Sequence, residues 1–183
     1  MGDGVGDDDG ARREGPRGGG VKREVVVGSG WAGERDRARC TACIQSFYGH
    51  QSLRIKSQME KITAQSTMAA ELIGVHRAAK AIVGIHDCML ESGIRVDGPP
   101  EIICDSAAAI IAIENYHIAE ANKHIRVRYW YVRELVERGM IVLRPIASAN
   151  NPADIGTKAL GADLFARHDG IITGNSPWPE EAD

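Results

Sequence analysis

The sequence predicts an α/β fold, a five-stranded mixed sheet flanked by helices. Three observations predict it. Strand and helix signals run in the order β-β-β-α-β-α-α-β-α. The first three strands follow one another directly, as an antiparallel meander does, and the last two are reached through helices, which adds them in parallel. One helical pattern, after residue 66, is long and apolar along a single face.

Val25-Val26-Val27 is a β-branched run that stops at Gly28, the pattern of a buried strand. Thr41 to Tyr48 and Ser52 to Ser57 read as two further strands joined at Gly49-His50-Gln51. The alternation of Leu53 and Ile55 with Arg54 and Lys56 predicts that the third strand is half-buried. Ser66 or Thr67 can cap the long helix, whose stripe is Met68, Leu72, Val75, Ala79, Ile82 and Met89, and Gly93 stands where a C-terminal cap belongs. Pro99-Pro100 precede a strand from Glu101 to Cys104 that ends at Asp105, and Ser106 caps a helix to about Glu114. Asn122 opens the next helix, with Ile125, Tyr129, Val132 and Val136 on one face and Gly139 at its end. Met140 to Ile146 is the fifth strand, and Asn151-Pro152 predicts that a last helix starts there.

Composition narrows the function classes. With 22 Lys and Arg against 25 Asp and Glu, the net charge of −3 argues against nucleic-acid binding through overall charge but leaves room for a local basic patch. Aromatics at 5% argue against a stacking platform for single strands. No apolar run approaches the roughly 18 residues that would span a bilayer. Four cysteines do not make a disulfide scaffold, and no secretory leader pattern opens the chain, so the expected location is intracellular, cytoplasmic or nuclear. Residues 1–23, rich in Gly, Asp and Arg, have almost nothing to bury and read as disordered or as an artefactual segment. One domain is expected over 24–168 and a flexible acidic tail over 169–183. Nothing in the sequence points to a stable protein partner.

The acids fall at telling places in this frame. Asp105 ends a buried strand, at the edge where open sheets place ligand sites. Glu71 lies in the first turns of the long helix, and Asp154 follows the Asn-Pro entry of the last one. Convergence of three carboxylates would be costly without a cation, and oxygen ligands suit Mg²⁺. Each acid also has a plainer reading. Asp105 can cap the helix after it, Glu71 can favour the helix dipole, and Asp154 can pair with Lys158 four residues on.

Four segments, STMAAEL (66–72), IICDSAAAI (102–110), NKHIRVRYWYVRE (122–134) and NPADIGTKAL (151–160), resemble in order and spacing the ribonuclease H domain of copia-type retrotransposon polyproteins. The family's stretches read SSTEAEY, IYCDNQSAI, TKHIDIRYHFVRE and ADILTKPL. The likeness extends back to WAGERDRARCTAC (31–43) and covers about Val25 to Phe165. It implies a ribonuclease H-like fold and cleavage of the RNA strand of an RNA–DNA hybrid. It also implies a site of four carboxylates holding Mg²⁺ or Mn²⁺, two ions in the intact family. Glu71, Asp105 and Asp154 match three of the four as catalytic, metal-binding residues.

The fourth does not match. Where the family has Asp-Ala-Asp before Trp-Ala-Gly, this chain has Gly28-Ser29-Gly30 before Trp31. The resemblance therefore implies an impaired, degenerate site, or a catalytically dead relic that keeps the fold. Glu34 and Asp36 are close in sequence but match loop positions. Lys123, His124, Arg126, Arg128 and Arg133 cluster on one helix, where they can grip the backbone of a hybrid or related duplex or else form a solvated face. Cys40-x-x-Cys43 lacks a second pair at zinc spacing and reads as incidental.

Overall fold

The computed structural model describes residues 22–30, 40–49, 51–60, 66–115 and 123–178. Its sheet comprises β1 (Arg23–Gly30), β2 (Thr41–Tyr48), β3 (Gln51–Met59), β4 (Glu101–Cys104) and β5 (Val142–Pro145), in the order β3-β2-β1-β4-β5. The pairs β1/β2 and β2/β3 are antiparallel, and β1/β4 and β4/β5 are parallel. This is the mixed five-stranded sheet that the element order predicts. β1 lies at its centre, which is why an unbroken Val25-Val26-Val27 run suits it: all three are 0% exposed. The strand also continues past Gly28 to Gly30, because pairing with β2 overrides the local signal of a glycine stop.

Helix α1 (Thr67–Glu91) begins at Ser66, whose side chain accepts from the Ala69 amide. It ends where Gly93 takes a φ of 72° and Ile94 donates to the Met89 carbonyl. Between these ends Leu72, Ile73, Val75, Ala79 and Ile82 are buried. At Gly74 the helix crosses β1 so closely that a Cβ would sit 3.0 Å from Val27 Cγ2. Helices α2 (Ala107–Glu114) and α3 (Lys123–Glu137) complete this layer. The other face is covered by a short 3-10 helix, Pro152–Gly156, and by α4 (Ala162–Ile172).

Three expectations need correction. No continuous helix starts at Pro152. Asn151 accepts from the Ala153 amide and donates to the Val27 carbonyl, tying the entry to the sheet. Gly156 then passes so close to β2 that a Cβ would meet Cys43 Sγ at 2.5 Å, and the chain breaks before α4. The second correction concerns the boundary at residue 168. Helix α4 runs through it, with His168 and Ile171 buried, and Trp178 packs edge-on against Phe47 at 4.5 Å. Third, β3 is not half-buried on its apolar side. Leu53 and Ile55 are 51% and 47% exposed, because β3 is an edge strand beyond the reach of the helices on their face. Of the segment 1–23, residues 1–21 lie outside the described residues, as do Trp31, Glu34, Asp36 and Asn122.

Candidate metal centre

The three sequence-predicted acids approach one end of the sheet from three elements. Glu71 comes from the second turn of α1, Asp105 follows the last residue of β4, and Asp154 sits in the 3-10 helix. Ligand atoms of Glu71, Cys104 and Asp105 lie within 4.8 Å of one another. Asp154 is 3% exposed and close enough to raise the proton affinity of both other acids.

The cost of this convergence is visible in the acids' protonation. Burial, and beyond it the charges of Asp105 and Asp154, push the Glu71 carboxyl up to about 7, against a hydrogen bond from Ser29 and the charge of Lys158. Ser29 Oγ donates to Glu71 Oε1 at 2.5 Å, while Oε2 is buried with no hydrogen-bond partner among the described residues. The Asp105 carboxyl is raised by burial and then by Asp154, and hydrogen bonds from Ser148 and Asn151 act against the shift. Asp154 itself is met by Lys158 Nζ at 2.6 Å, the i,i+4 pair that its spacing allows. An orphaned carboxylate oxygen and buried like charges are what a divalent cation would relieve, so the donor set fits one.

Position 28 decides what the site lacks. A Cβ built on Gly28 would lie 3.2 Å from Asp154 Oδ1 and 3.4 Å from Ala153. A side chain there would enter the acid cluster, and glycine supplies none. Glu34 and Asp36 lie outside the described residues.

The basic residues on α3 divide. Lys123, His124 and Arg126 are exposed. Arg128 is half-buried and turns toward Glu60 and His76, whose proton affinities it lowers. Arg133 contradicts the expectation of a duplex contact. It is 6% exposed, donates to the carbonyls of Ile113 and Glu114 at 2.5 and 3.0 Å, and pairs with Glu137 at 2.8 Å. It closes the C-terminal end of α2 and faces away from solvent.

Sequence reasoning missed Ser29, Ser148 and the second role of Asn151. Ser29 had a signal, since it follows Gly28 on β1 and alternation sends it to the α1 face. The link from Asn151 to Val27 spans 124 residues and leaves no local trace.

Comparison with known proteins agrees with the fold. No family model matches the chain. The retrovirus-related Pol polyprotein from transposon TNT 1-94 of Nicotiana tabacum is 30% identical over 135 residues, 73% of this chain and 10% of that protein. The corresponding polyprotein from transposon RE1 of Arabidopsis thaliana is 28% identical over 74% of this chain and 9% of its own length. The chain thus spans about a tenth of the curated relatives it matches. Among solved structures, LC11-RNase H1, isolated from compost by a metagenomic approach, superimposes with a TM-score of 0.57 at 15% identity, over 74% of this chain and 92% of that one. The N-terminal RNase H domain of rv2228c from Mycobacterium tuberculosis gives 0.52 at 15% identity, over 85% and 99%. Among the described residues no helix is long and apolar enough to cross a membrane. The sheet order, the relatives and the superpositions together make the chain a ribonuclease H-like domain homologous to part of transposon Pol polyproteins.

Proposed function

We propose that this domain descends from a metal-dependent nuclease that cleaves the RNA strand of RNA–DNA hybrids, and that its own activity is impaired at position 28. The observation that carries the reading is that a Cβ at Gly28 would lie 3.2 Å from Asp154 Oδ1, next to the cluster that holds Glu71 and Asp105. Glu71, Asp105 and Asp154 would hold Mg²⁺ or Mn²⁺. When bound, such an ion activates water and offsets charge in an in-line phosphodiester displacement. The chain's own residues orient this set. Ser29 fixes one oxygen of Glu71, Ser148 and Asn151 bond the Asp105 side chain, and Lys158 holds Asp154. A solved RNase H1 neighbour is described in complex with an RNA/DNA hybrid, and the same substrate class is the one proposed here. Lys123, His124, Arg126 and Arg128 would meet its backbone.

A missing carboxylate ligand costs several kcal/mol of transition-state stabilisation, and each 1.36 kcal/mol is about tenfold in rate. The direct test is hybrid cleavage by the unaltered chain and by Gly28→Asp, with Mg²⁺ and with Mn²⁺. The revertant should cut roughly 100-fold faster or more, in line with a loss of at least ~2.7 kcal/mol. Equal, robust cleavage by the unaltered chain would reject impairment. A second reading is a catalytically dead relic that keeps hybrid binding. The Asp154–Lys158 pair favours it, because an ammonium already neutralises the acid beside the lost one. In that case neither protein cuts, while both bind.

A further inference from the structure

We propose that the groove between β3 and α1 is a second nucleic-acid contact, which holds the phosphate backbone of one strand at a distance from the acid cluster. It rests on the reading of the domain as a binder of nucleic acid and adds to it a place where the strand runs. The groove encloses about 250 Å³, with Arg54 and Lys56 on one wall, Arg77 and Lys80 on the other, and Ile44 and Ser46 at its floor. Register explains the first wall. Arg54 pairs with Ser46 and Lys56 with Ile44, so both cations project to the α1 side of the edge strand.

Of the four cations, Arg77 alone is matched. Glu60 meets its Nε at 2.9 Å and Gln58 accepts from it at 3.2 Å. Arg54, Lys56 and Lys80 have no carboxylate partner among the described residues. Three unmatched cations facing one cleft stand out in a chain of net charge −3. Their spacing is regular. Residues two apart on a strand are about 7 Å apart, and residues three apart on a helix about 5–6 Å. No aromatic ring lines the groove, which removes base stacking and leaves backbone recognition.

Position in the fold favours a nucleic-acid strand over an acidic peptide. The C-terminal end of β3 pairs through Thr41 with Gly30, at the end of the sheet where the acids lie. Arg77 and Lys80 follow Glu71 by six and nine residues on one helix, about 9 and 13 Å of rise at 1.5 Å per residue. A strand in the groove therefore leads toward the acids over a few nucleotides.

The test measures hybrid binding by the full chain in EDTA, by fluorescence anisotropy over a salt series. The variant is Arg54→Gln/Lys56→Gln/Lys80→Gln, with Lys80→Gln alone as a helix-surface control that leaves the sheet untouched. The triple variant should lose affinity at least tenfold near 0.1 M salt, and its slope of log K against log salt should shrink by about 2 to 3, near 0.9 for each phosphate that is no longer neutralised. The single variant should shrink it by about 1. Unchanged affinity and slope in Lys80→Gln and the triple variant would overturn the proposal. So would self-association of the triple variant with binding intact, which would assign the charges to protection of a sheet edge. Equal competition by a polyglutamate peptide of matched charge would also overturn it. Because no metal is present, failure of cleavage in the earlier assay leaves this outcome independent.

Discussion

On the α1 face of the sheet, Val25, Val27, Ile44, Ile102 and Leu143 pack with α1, α2 and α3 into one continuous apolar cluster. On the opposite face the buried apolar cluster is Val26, Cys43, Phe47, Ile103 and Ala153, with Ile146 and Trp178 against it. Polar groups are buried beside it. Among the described residues, Gln45, 0% exposed, finds no hydrogen-bond partner for either amide atom, and the buried His168 ring finds none for either nitrogen. The acid cluster straddles the two. Glu71 is set by the well-packed face, and Asp154 and position 28 belong to the thinner one. The difference teaches where the chain departs from the family it resembles: position 28, a glycine here, is on the side whose buried apolar cluster is smaller.

The sharpest way to break this comparison is a pair of core truncations. Val25→Ala, in the large cluster, should cost about 2 to 3 kcal/mol in urea unfolding. Val26→Ala, in the small cluster, removes the same two methyl groups from an equally buried site and should cost about 1 to 2 kcal/mol, because fewer apolar neighbours surround it. Equal losses would mean that the two faces are equally packed. Next in size is Arg133→Ala, expected to cost about 2 to 3 kcal/mol, because the Ile113 and Glu114 carbonyls lose a buried charged donor. Hybrid affinity should stay unchanged in that variant at conditions where it is folded, whereas Arg126→Ala should weaken binding and leave stability alone.

These contrasts also locate what the sequence could reveal. The caps at Ser66 and Ser106, the positive-φ turns at Gly49, Gly93 and Gly139, and the order of strands were legible because each rests on neighbours in the chain. The acids at 71, 105 and 154 stand at or near element ends, but it is the resemblance of their segments that singles them out. The break after Gly156 was not, because it follows from β2 standing 2.5 Å from where a Cβ would be. The inward fate of Arg133 was hidden for a related reason. Basic residues on α3 look alike in sequence, and only the approach of the α2 C-terminus singles one out. For β3, alternation told which residues share a side but not that the apolar side has no cover.

A smaller effect concerns pH. The folded Glu71 carboxyl holds its proton to about 7, against an ordinary 4.5, so between those values the folded chain binds more protons than the unfolded one. The Glu71 contribution to stability should therefore fall as pH rises through that window, against an opposite contribution from His76, which burial pushes down to about 4. Thermal melts of the unaltered chain and of Glu71→Gln from pH 4 to 8 check this: the stability of the variant relative to the unaltered chain should rise with pH, and a relative fall would contradict it. The smallest expected change is a gain: Gln45→Met should stabilise the protein by about 1 kcal/mol by removing an unpaired buried amide. No gain in chemical denaturation would show that the amide is satisfied and that the thinner face is better built than its packing suggests.

The glycine at position 28 bears on what the folded chain requires of its surroundings. Half-buried Glu71 and Asp105 and buried Asp154 beside Lys158 can be held together with Glu71 protonated up to about pH 7; an aspartate at 28 would add a further like charge to this cluster. Without it the cluster carries one negative charge fewer. On the proposed reading, the folded chain would then depend little on a divalent cation for its stability, and EDTA should leave its melting temperature unchanged.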